Sequence, residues 1–533
     1  MSDLVLPCHG ESDVSLASRA YYGIGGVARF FALPEALSEL SDLLLWNRKH
    51  RFPLALMGSG SNILFSDRDF PGIVISLESM QRLFWLSDEE LFCEAGVENT
   101  LIAEELFSVG KGGGEWLYRL PGQIGATVRM NGRCFGGEVS AVTSGILTLS
   151  VDGQLLWRLP DEVFLGYKQT SLMGNPEIVV AVVLRFPASR SAGEIRKEMH
   201  GYEEERTKKH HFDFPSCGST FKNNYAAGRS SGSIFEELGF KGESEGGAMV
   251  SEHHANFIYN RDGATAVDVL RLAARMRAAA LEKAGVELDL EVQCVGLFDA
   301  DLLASCGVGF VADRRDVSKG WSGLLWNPEN DQQSKPLFPR LLMQGPLVGY
   351  SGLDREFPSG VFVEVEQLCS LKDAAAAPEA PFLRWTTRCA HEHLLFSVKA
   401  PSPGGFTDEL WKYSVSELFI AGLHGGYLEF EMTPDGHWVA LRFDAPRKRA
   451  KGYEALSAEP WMTEVRLVQD DGCFGMEFSW QLLKPLLSEE SVLSLQCCAS
   501  SGKGEFGLFP WWQTPSSPAD FHQPNQFFRT CLL

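Results

Sequence analysis

The sequence predicts an α+β protein that runs on into an antiparallel β-sandwich, and three observations carry the prediction. Residues up to about 297 mix helical and strand periods with many glycines. After Pro346 the pattern changes to short alternating runs separated by turn signals. The length of 533 residues, at roughly 100–200 per domain, gives about three or four domains.

Taken in order, Pro34 to His50 places Leu37, Leu40 and Leu44 on one helical face, with Pro34 at the start. The apolar run Leu54 to Met57 predicts a buried strand that ends in glycine. Val267 to Lys283 predicts a second helix, with Val269, Ala273, Met276 and Ala280 at helical spacing and Gly285 as its stop. Phe298 to Gly345, which holds W-N-P-E-N-D-Q-Q-S-K-P, reads as an inter-domain connection with some structure of its own. Beyond it, L-L-F-S-V (394–398), Y-L-E-F-E-M (427–432), W-V-A-L-R-F (438–443) and F-G-M-E-F-S-W (474–480) alternate, and T-P-D-G (433–436) and D-D-G (470–472) separate them. That is the pattern of a β-sandwich. Asp373 to Pro381 reads as an Ala/Pro linker.

Composition sets limits on function. Hydrophobic residues make up 44%, charged residues 22% and aromatics 11%, enough to bury several ordinary cores. The 48 basic and 69 acidic side chains leave a net charge of -21. This argues against a broad nucleic-acid footprint or an anionic-membrane patch, yet allows a local basic pocket for an anionic small molecule. The longest strongly apolar stretch, Ile178 to Leu184, is far short of the ~20 residues of a membrane helix, so no span is expected. The start M-S-D-L-V-L-P-C-H-G has no basic, apolar leader, which predicts no signal peptide and a cytoplasmic location. Twelve cysteines without a C-x-x-C predict reduced structural thiols and no metal site.

Two glycine loops carry the chemistry. G-S-G-S-N (58–62) follows the strand 54–57 directly, where glycines allow a tight turn and bring amides against an anion. Taken alone, it is a weak signal, and an ordinary strand-ending turn is the better reading. L-P-G-Q-I-G-A-T-V-R-M-N-G-R-C-F-G-G-E (120–138) is the second loop, and the two together form a clamp for a long diphosphate cofactor. With Y-Y-G-I-G-G (21–26), S-C-G-S-T-F-K-N (216–223), G-G-A-M-V-S-E-H-H-A-N-F (246–257) and L-D-L-E-V (288–292), their order resembles the UDP-N-acetylenolpyruvoylglucosamine reductase family over residues 15–297.

The resemblance implies FAD in the two-lobed fold of the vanillyl-alcohol-oxidase type, NADPH as reductant and a separate substrate domain. It divides the chain into flavin lobes 1–78 and 79–205, a substrate domain 206–297, a linker 298–345 and a sandwich 346–533. Gly58, Ser59, Gly60, Ser61 and Asn62 would line the pyrophosphate. Pro121, Gly122, Gln123, Gly125, Ala126 and Asn131 would face the flavin and its phosphates. The second loop departs from the family pattern at Gln123, Ala126 and Thr127, and Ala126 adds a Cβ where glycine is usual.

By the same resemblance the catalytic residues are Ser219, Glu291 and Lys168, and the substrate-binding residues are Tyr167, Asn223, Lys241 and His254. Ser219 matches the proton donor, a role a weakly acidic hydroxyl fills only where cations and low dielectric favour its ionised form. Glu291 matches the acid that works with a cation on the enol intermediate. Lys168 stands in place of an arginine, keeping the charge but losing the planar fork, and Gln293 replaces a second arginine. The run Lys208, Lys209, His210, His211 is either an attractor for the substrate diphosphate or a solvated charge run.

The region after Pro346 resembles the DOMON-like sandwich of family 9 carbohydrate-binding modules. That implies a glycan or precursor ligand stacked on aromatics, with Trp385, Trp411, Tyr413, Trp438, Trp511 and Trp512 as candidates. Overall the sequence points to reduction of UDP-N-acetylglucosamine enolpyruvate to UDP-N-acetylmuramate in peptidoglycan precursor synthesis. Two alternatives stay open on the residues: an FAD oxidoreductase of this fold acting on another substrate, and a degenerate, non-catalytic binding protein.

Overall fold

The computed structural model describes residues 4–308 other than 209, 211 and 212. Of 321–532 it describes all but 329–337, 350–360, 390–404, 408–409, 411–412, 423–425, 451–457, 459–460, 471–472, 488–490, 502–505 and 511–521. The run 394–398 and Trp411, Trp511 and Trp512 lie outside the described residues.

The first lobe is a sheet ordered Gly10–Ser15, Val27–Ala32, Phe70–Ser76, Leu54–Met57 and Leu324–Trp326. Its inner pairs run parallel, so a helix must carry the chain between strands. That helix is Leu37–His50, which buries Leu40, Leu43 and Leu44. Pro34 lies outside it: the extended residue Ala36 is the N-cap, and the Glu39 carboxylate accepts the Glu35 N–H at 2.9 Å. The helix therefore starts three residues later than the proline suggests.

The second lobe and one half of the sandwich share a single sheet of ten described strands. The order is Val465–Asp470, Cys473–Ser479, Pro381–Cys389, Val361–Gln367, Arg340–Pro346, Leu155–Arg158, Thr143–Ser150, Glu177–Arg185, Glu90–Glu94 and Leu83–Trp85. Glu177–Arg185 is buried along its length except at Arg185. A strand covered on both faces has no polar side to alternate with, which explains the unbroken apolar run Ile178 to Leu184. The seam lies between Leu155–Arg158 and Arg340–Pro346, which pair in parallel with Leu155 opposite Met343 and Leu156 opposite Gln344.

The sandwich's second sheet is ordered Val348–Gly349, Phe506–Phe509, Val492–Ser501, Ser414–Ala421, Tyr427–Met432, His437–Ala445 and Gly405–Phe406. Val361, Val363 and Val365 point inward while Glu364 and Glu366 are partly exposed, as the alternating sequence requires. Trp385 and Trp438 are core residues, fully buried and 9% exposed respectively, so neither offers a stacking platform.

Two connections carry more structure than their composition suggests. Within 298–345, helix Ala300–Ser305 is followed by Trp321–Ser322, which pairs with Gln293–Leu297, and Leu324–Trp326, which pairs with Leu54–Met57. The sandwich's first strand begins at Arg340. The physical reason is that Leu54–Met57 and Leu155–Arg158 would otherwise be edge strands with unpaired backbone groups. The Ala/Pro stretch 373–381 contributes to helix Leu371–Ala376, capped by the Ser370 hydroxyl on the Asp373 N–H at 3.1 Å, before strand Pro381–Cys389 begins. Alanine's helix propensity outweighs its linker-like composition here.

A separate core forms around helix Ala266–Ala284, with Leu270, Ala273 and Met276 clustered with Phe235 and Ile258. The Thr265–Asp268 capping box starts this helix and Gly285 ends it in the left-handed region. No helix among the described residues is long and apolar enough to cross a membrane.

Candidate active site

Four segments close a ring of contacts around one cleft. The loop Gly58–Asn62 joins strands Leu54–Met57 and Ile63–Phe65. Gly60 adopts φ +73°, and a Cβ there would sit 2.8 Å from the Arg19 carbonyl oxygen, so the turn needs glycine. The second loop faces the first: a Cβ on Gly122, at φ +121°, would come 3.4 Å from Ser61 Oγ, and one on Gly58 would come 3.1 Å from the Ala126 Cβ. The Ser61 hydroxyl approaches the Pro121 carbonyl at 3.5 Å.

Helix Ile124–Arg129 leads to Asn131, which is buried with φ 44°. Its side-chain amide donates to Glu138 at 2.7 Å and to the Gly166 carbonyl at 2.9 Å, which places the second loop beside Tyr167 and Lys168. Ser59 Oγ and Asn131 Oδ1 are buried without a hydrogen-bond partner. Buried polar atoms of this kind call for a ligand, and the two facing glycine loops leave room for backbone against phosphate, so the residues present fit FAD.

Lys168 sits at φ 53° in the turn between Phe164–Gly166 and Gln169–Thr170, and its ammonium lies 2.7 Å from Glu291 Oε1. Both side chains are largely shielded, at 13% and 14% exposure. Glu291 is tied to the first glycine loop because its carbonyl accepts the Asn62 amide at 3.2 Å. The Gln293 amide folds back onto the same carbonyl at 3.0 Å, and the Gln293 N–H donates to the Asn62 carbonyl, also at 3.0 Å. The Glu291 N–H donates to the Thr220 carbonyl at 2.8 Å, which brings the Ser219 loop alongside.

Ser219 is held by a backbone bridge to Phe257 and follows Gly218. The Asn256 side chain braces this loop, accepting from the Phe221 N–H at 3.0 Å and donating to the Phe221 carbonyl at 2.9 Å. Asn223 donates its N–H to the Tyr167 hydroxyl at 3.4 Å and accepts the Ser231 N–H at 2.9 Å. Burial, then the charge of Glu291, pushes the Tyr167 phenol well above its ordinary range, so it stays a neutral hydroxyl. The Lys222 ammonium is pushed down by burial and further by Lys168, while Asp289 and Glu291 oppose the shift.

The described contacts thus join Ser219, Glu291, Lys168, Tyr167 and Asn223 to the glycine loops. Lys241 pairs with Glu236 at the end of helix Ser231–Glu237. His254 stacks on Phe257 at 4.2 Å and accepts the Asn256 N–H at 3.3 Å, which gives it a bracing place behind the Ser219 loop. In the cationic run, Lys208 is exposed beside Glu204. His210, Asp213 and His253 bring ligand-type atoms within 4.8 Å of one another, but the two imidazoles stack face to face at 3.7 Å instead of converging. Cys217 and Cys294 are buried and their thiols are pushed up by burial, as suits structural cysteines. Arg133 and Tyr225, which the sequence did not single out, stand beside Tyr167.

Two facing glycine loops that fit FAD, set beside a shielded Lys168–Glu291 ion pair, are the arrangement of a flavin-dependent reductase. Residues 28–157 match the family model of an FAD binding domain, and 210–295 match the C-terminal domain of UDP-N-acetylenolpyruvoylglucosamine reductase. The chain is 34% identical over 294 residues to the UDP-N-acetylenolpyruvoylglucosamine reductase of Syntrophomonas wolfei, covering 55% of this chain and 97% of that one. With the enzyme of Geobacter metallireducens it shares 35% over 284 residues, 53% of this chain and 93% of the relative. The crystal structure of the reductase from Thermus caldophilus is 30% identical with a TM-score of 0.46, covering 54% of this chain and 98% of that one. The chain belongs to the UDP-N-acetylenolpyruvoylglucosamine reductase family, and its cofactors are bound FAD and NADPH.

Proposed function

We propose that the cleft reduces UDP-N-acetylglucosamine enolpyruvate to UDP-N-acetylmuramate in peptidoglycan precursor synthesis, with Ser219, Glu291 and Lys168 as its working groups. The reading includes flavin lobes at 1–78 and 79–205, a substrate domain at 206–297 and a cytoplasmic setting. The observation that carries it is the chain of contacts Asn62–Glu291–Lys168, in which the first glycine loop bonds the backbone carbonyl of the residue whose carboxylate holds the shielded Lys168 ammonium. FAD held by the glycine loops would supply hydride chemistry, carrying electrons from NADPH to the terminal vinyl carbon of the substrate.

The protein's own residues handle the charge that follows. Negative charge develops on the substrate carboxylate as its neighbouring carbon gains electrons, and the Lys168 ammonium is the cation placed to receive it. Glu291 holds that ammonium at 2.7 Å. Ser219 passes its proton to the carbon beside the carboxylate, with Lys222 and Lys168 as the cations favouring the ionised serine. Ser61, Asn62, Gln123 and Asn131 hold the cofactor, and Tyr167 and Asn223 orient the sugar nucleotide.

Stopped-flow measurement of the two half-reactions tests this. Ser219→Ala should be reduced by NADPH at close to the normal rate but reoxidised slowly by the enolpyruvyl sugar nucleotide. Equal loss in both steps would remove Ser219 from the proton-donor role.

For the sandwich, the proposal keeps the resemblance to a family 9 carbohydrate-binding module but changes the contact chemistry. A groove of about 560 Å³ on its outer sheet face is lined by Glu364, Glu366, Arg384, Thr386, Arg388 and Arg466 among others. Its three arginines face three glutamates, Arg384 and Arg466 beside Glu477 and Arg388 beside Glu364, so walls without aromatics favour polar and charged contacts with a saccharide over ring stacking. Arg388 and Arg466 are the more exposed of these arginines, 65% and 76%, each loosely paired with a glutamate, at 3.7 and 3.6 Å. Muramic-acid saccharides should bind by calorimetry, and binding should vanish in an Arg388→Ala/Arg466→Ala double variant; binding that ignores both changes excludes the groove.

A further inference from the structure

Arg133 has no part in the roles assigned above, yet it stands beside Tyr167, the neighbour of Lys168 in the chain. It opens the hairpin Arg133–Cys134/Gly137–Glu138, directly after the Asn131 turn. Its guanidinium carbon lies 5.4 Å from the ring centroid of Tyr167 and 5.8 Å from that of Tyr225. Both are within the ~6 Å reach of a cation–π contact. The two rings meet edge to face at 4.8 Å, so they form a corner that holds the guanidinium.

Among the described residues, the carboxylate paired with Arg133 is Glu138, at 3.9 Å. That is too long for a hydrogen bond, and the other oxygen of Glu138 already accepts the Asn131 amide at 2.7 Å. A planar group with several N–H donors is therefore fixed by aromatic faces while its hydrogen-bonding capacity is left for something else. Lys168 pairs with Glu291, Lys241 with Glu236 and Arg229 with Glu237, while Lys222 lies in the field of Asp289 and Glu291.

Resting on the reaction proposed above, we propose that Arg133 is a specificity-determining residue that grips the diphosphate of the sugar nucleotide. A guanidinium takes two phosphate oxygens at once, the fork geometry that Lys168 lacks. Lys168 follows Tyr167 in the chain and Arg133 covers the ring of Tyr167, so the two cations flank one side chain. A substrate with a carboxylate at one end and a diphosphate further along presents two anionic groups for them. Asn223, hydrogen-bonded to the Tyr167 hydroxyl, lies on the same side chain.

The test uses the FAD-loaded full chain, with UDP and uridine as probes and the flavin absorbance as the signal. Arg133→Ala should weaken UDP about tenfold or more, the scale of one charge-assisted hydrogen bond, and leave uridine unchanged. Arg133→Gln is the second variant should the alanine fail to retain flavin. In turnover, KM for the enolpyruvyl sugar nucleotide should rise in the same proportion while kcat stays within about twofold. Equal weakening of UDP and uridine, or no weakening, overturns the proposal. NADPH carries a diphosphate too, and an equal rise in its KM would overturn the assignment to the sugar nucleotide. A wild-type protein that binds UDP through Arg133 but is not reoxidised by the enolpyruvyl substrate would sink the reaction and leave the diphosphate contact standing.

Discussion

At the residue scale, the site works by fixing groups that would otherwise move. Lys168 at φ 53° and Asn131 at φ 44° occupy the left-handed region, a cost of order 1 kcal/mol each that local sequence does not repay. The Lys168–Glu291 pair and the Asn131–Glu138 hydrogen bond offset it and set the direction of each side chain. Positioned general acids contribute roughly 10²–10⁴-fold, so Ser219→Ala should slow reoxidation by about that factor while reduction by NADPH is spared. The asymmetry is the informative part, because loss of fold would slow both steps together.

At the scale of elements, the sandwich's second sheet carries an acid cluster that gives it a pH signature. Glu417, on Ser414–Ala421, lies opposite Glu431 on Tyr427–Met432 and Cys498 on Val492–Ser501. Glu429 is near Glu417 and His522, with Arg447 and Arg449 as the nearby cations. Burial raises the Glu417 carboxyl to about 7, and burial with the charge of Glu417 raises Glu429 to about 8. These acids stay protonated in the folded sheet at pH values where the unfolded chain has released its protons. Their contribution to stability is therefore complete below about pH 4.5 and is lost as pH rises through about 7 and 8. Glu417→Gln should flatten the fall in unfolding free energy as pH rises between about pH 5 and 7, because one fewer proton is released on unfolding there. Denaturant unfolding across that range checks it, and parallel slopes for both proteins would refute the buried-acid account.

At the scale of the whole molecule, the sandwich and the flavin lobes are one hydrophobic body. Their apolar cluster runs from Ile75 and Val182 through Met343 and Val363 to Phe430 and Leu495. The turn Asp152–Gln154 of the second lobe is held three times from the sandwich side. Arg340 donates to the Asp152 carbonyl at 2.6 Å, Thr530 to the Gly153 carbonyl at 2.8 Å, and the Gln154 amide to the Leu341 carbonyl at 2.7 Å. Arg529 pairs with Asp42 on the helix of the first lobe. A chain cut after Val308 should lose the partners of Leu54–Met57 and Leu155–Arg158 and expose apolar surface, and so aggregate or unfold at a Tm at least ~10 °C lower. Equal Tm and flavin content in the fragment would show that the sandwich is merely appended.

Much of this protein is legible in contiguous residues. The helix that ends at Gly285, the strand Leu54–Met57, the alternating strands of the sandwich and the order of the glycine loops all follow from local periodicity, turn chemistry and motif. Pro34 misled because a side chain four residues on in the sequence, Glu39, takes the Glu35 N–H, and the Ala/Pro stretch misled because alanine favours helix once Ser370 caps it. What the tertiary structure alone decided lies between distant residues: the Lys168–Glu291 pair, the aromatic corner around Arg133, and the seam between Leu155–Arg158 and Arg340–Pro346. Pattern and propensity are properties of a segment, whereas an ion pair, a cation–π corner or a strand seam exists only when topology brings separate segments within a few ångströms. The sequence by itself determined which cofactor cradle this chain builds, and the fold decided which charges face it and that the sandwich is part of the same body.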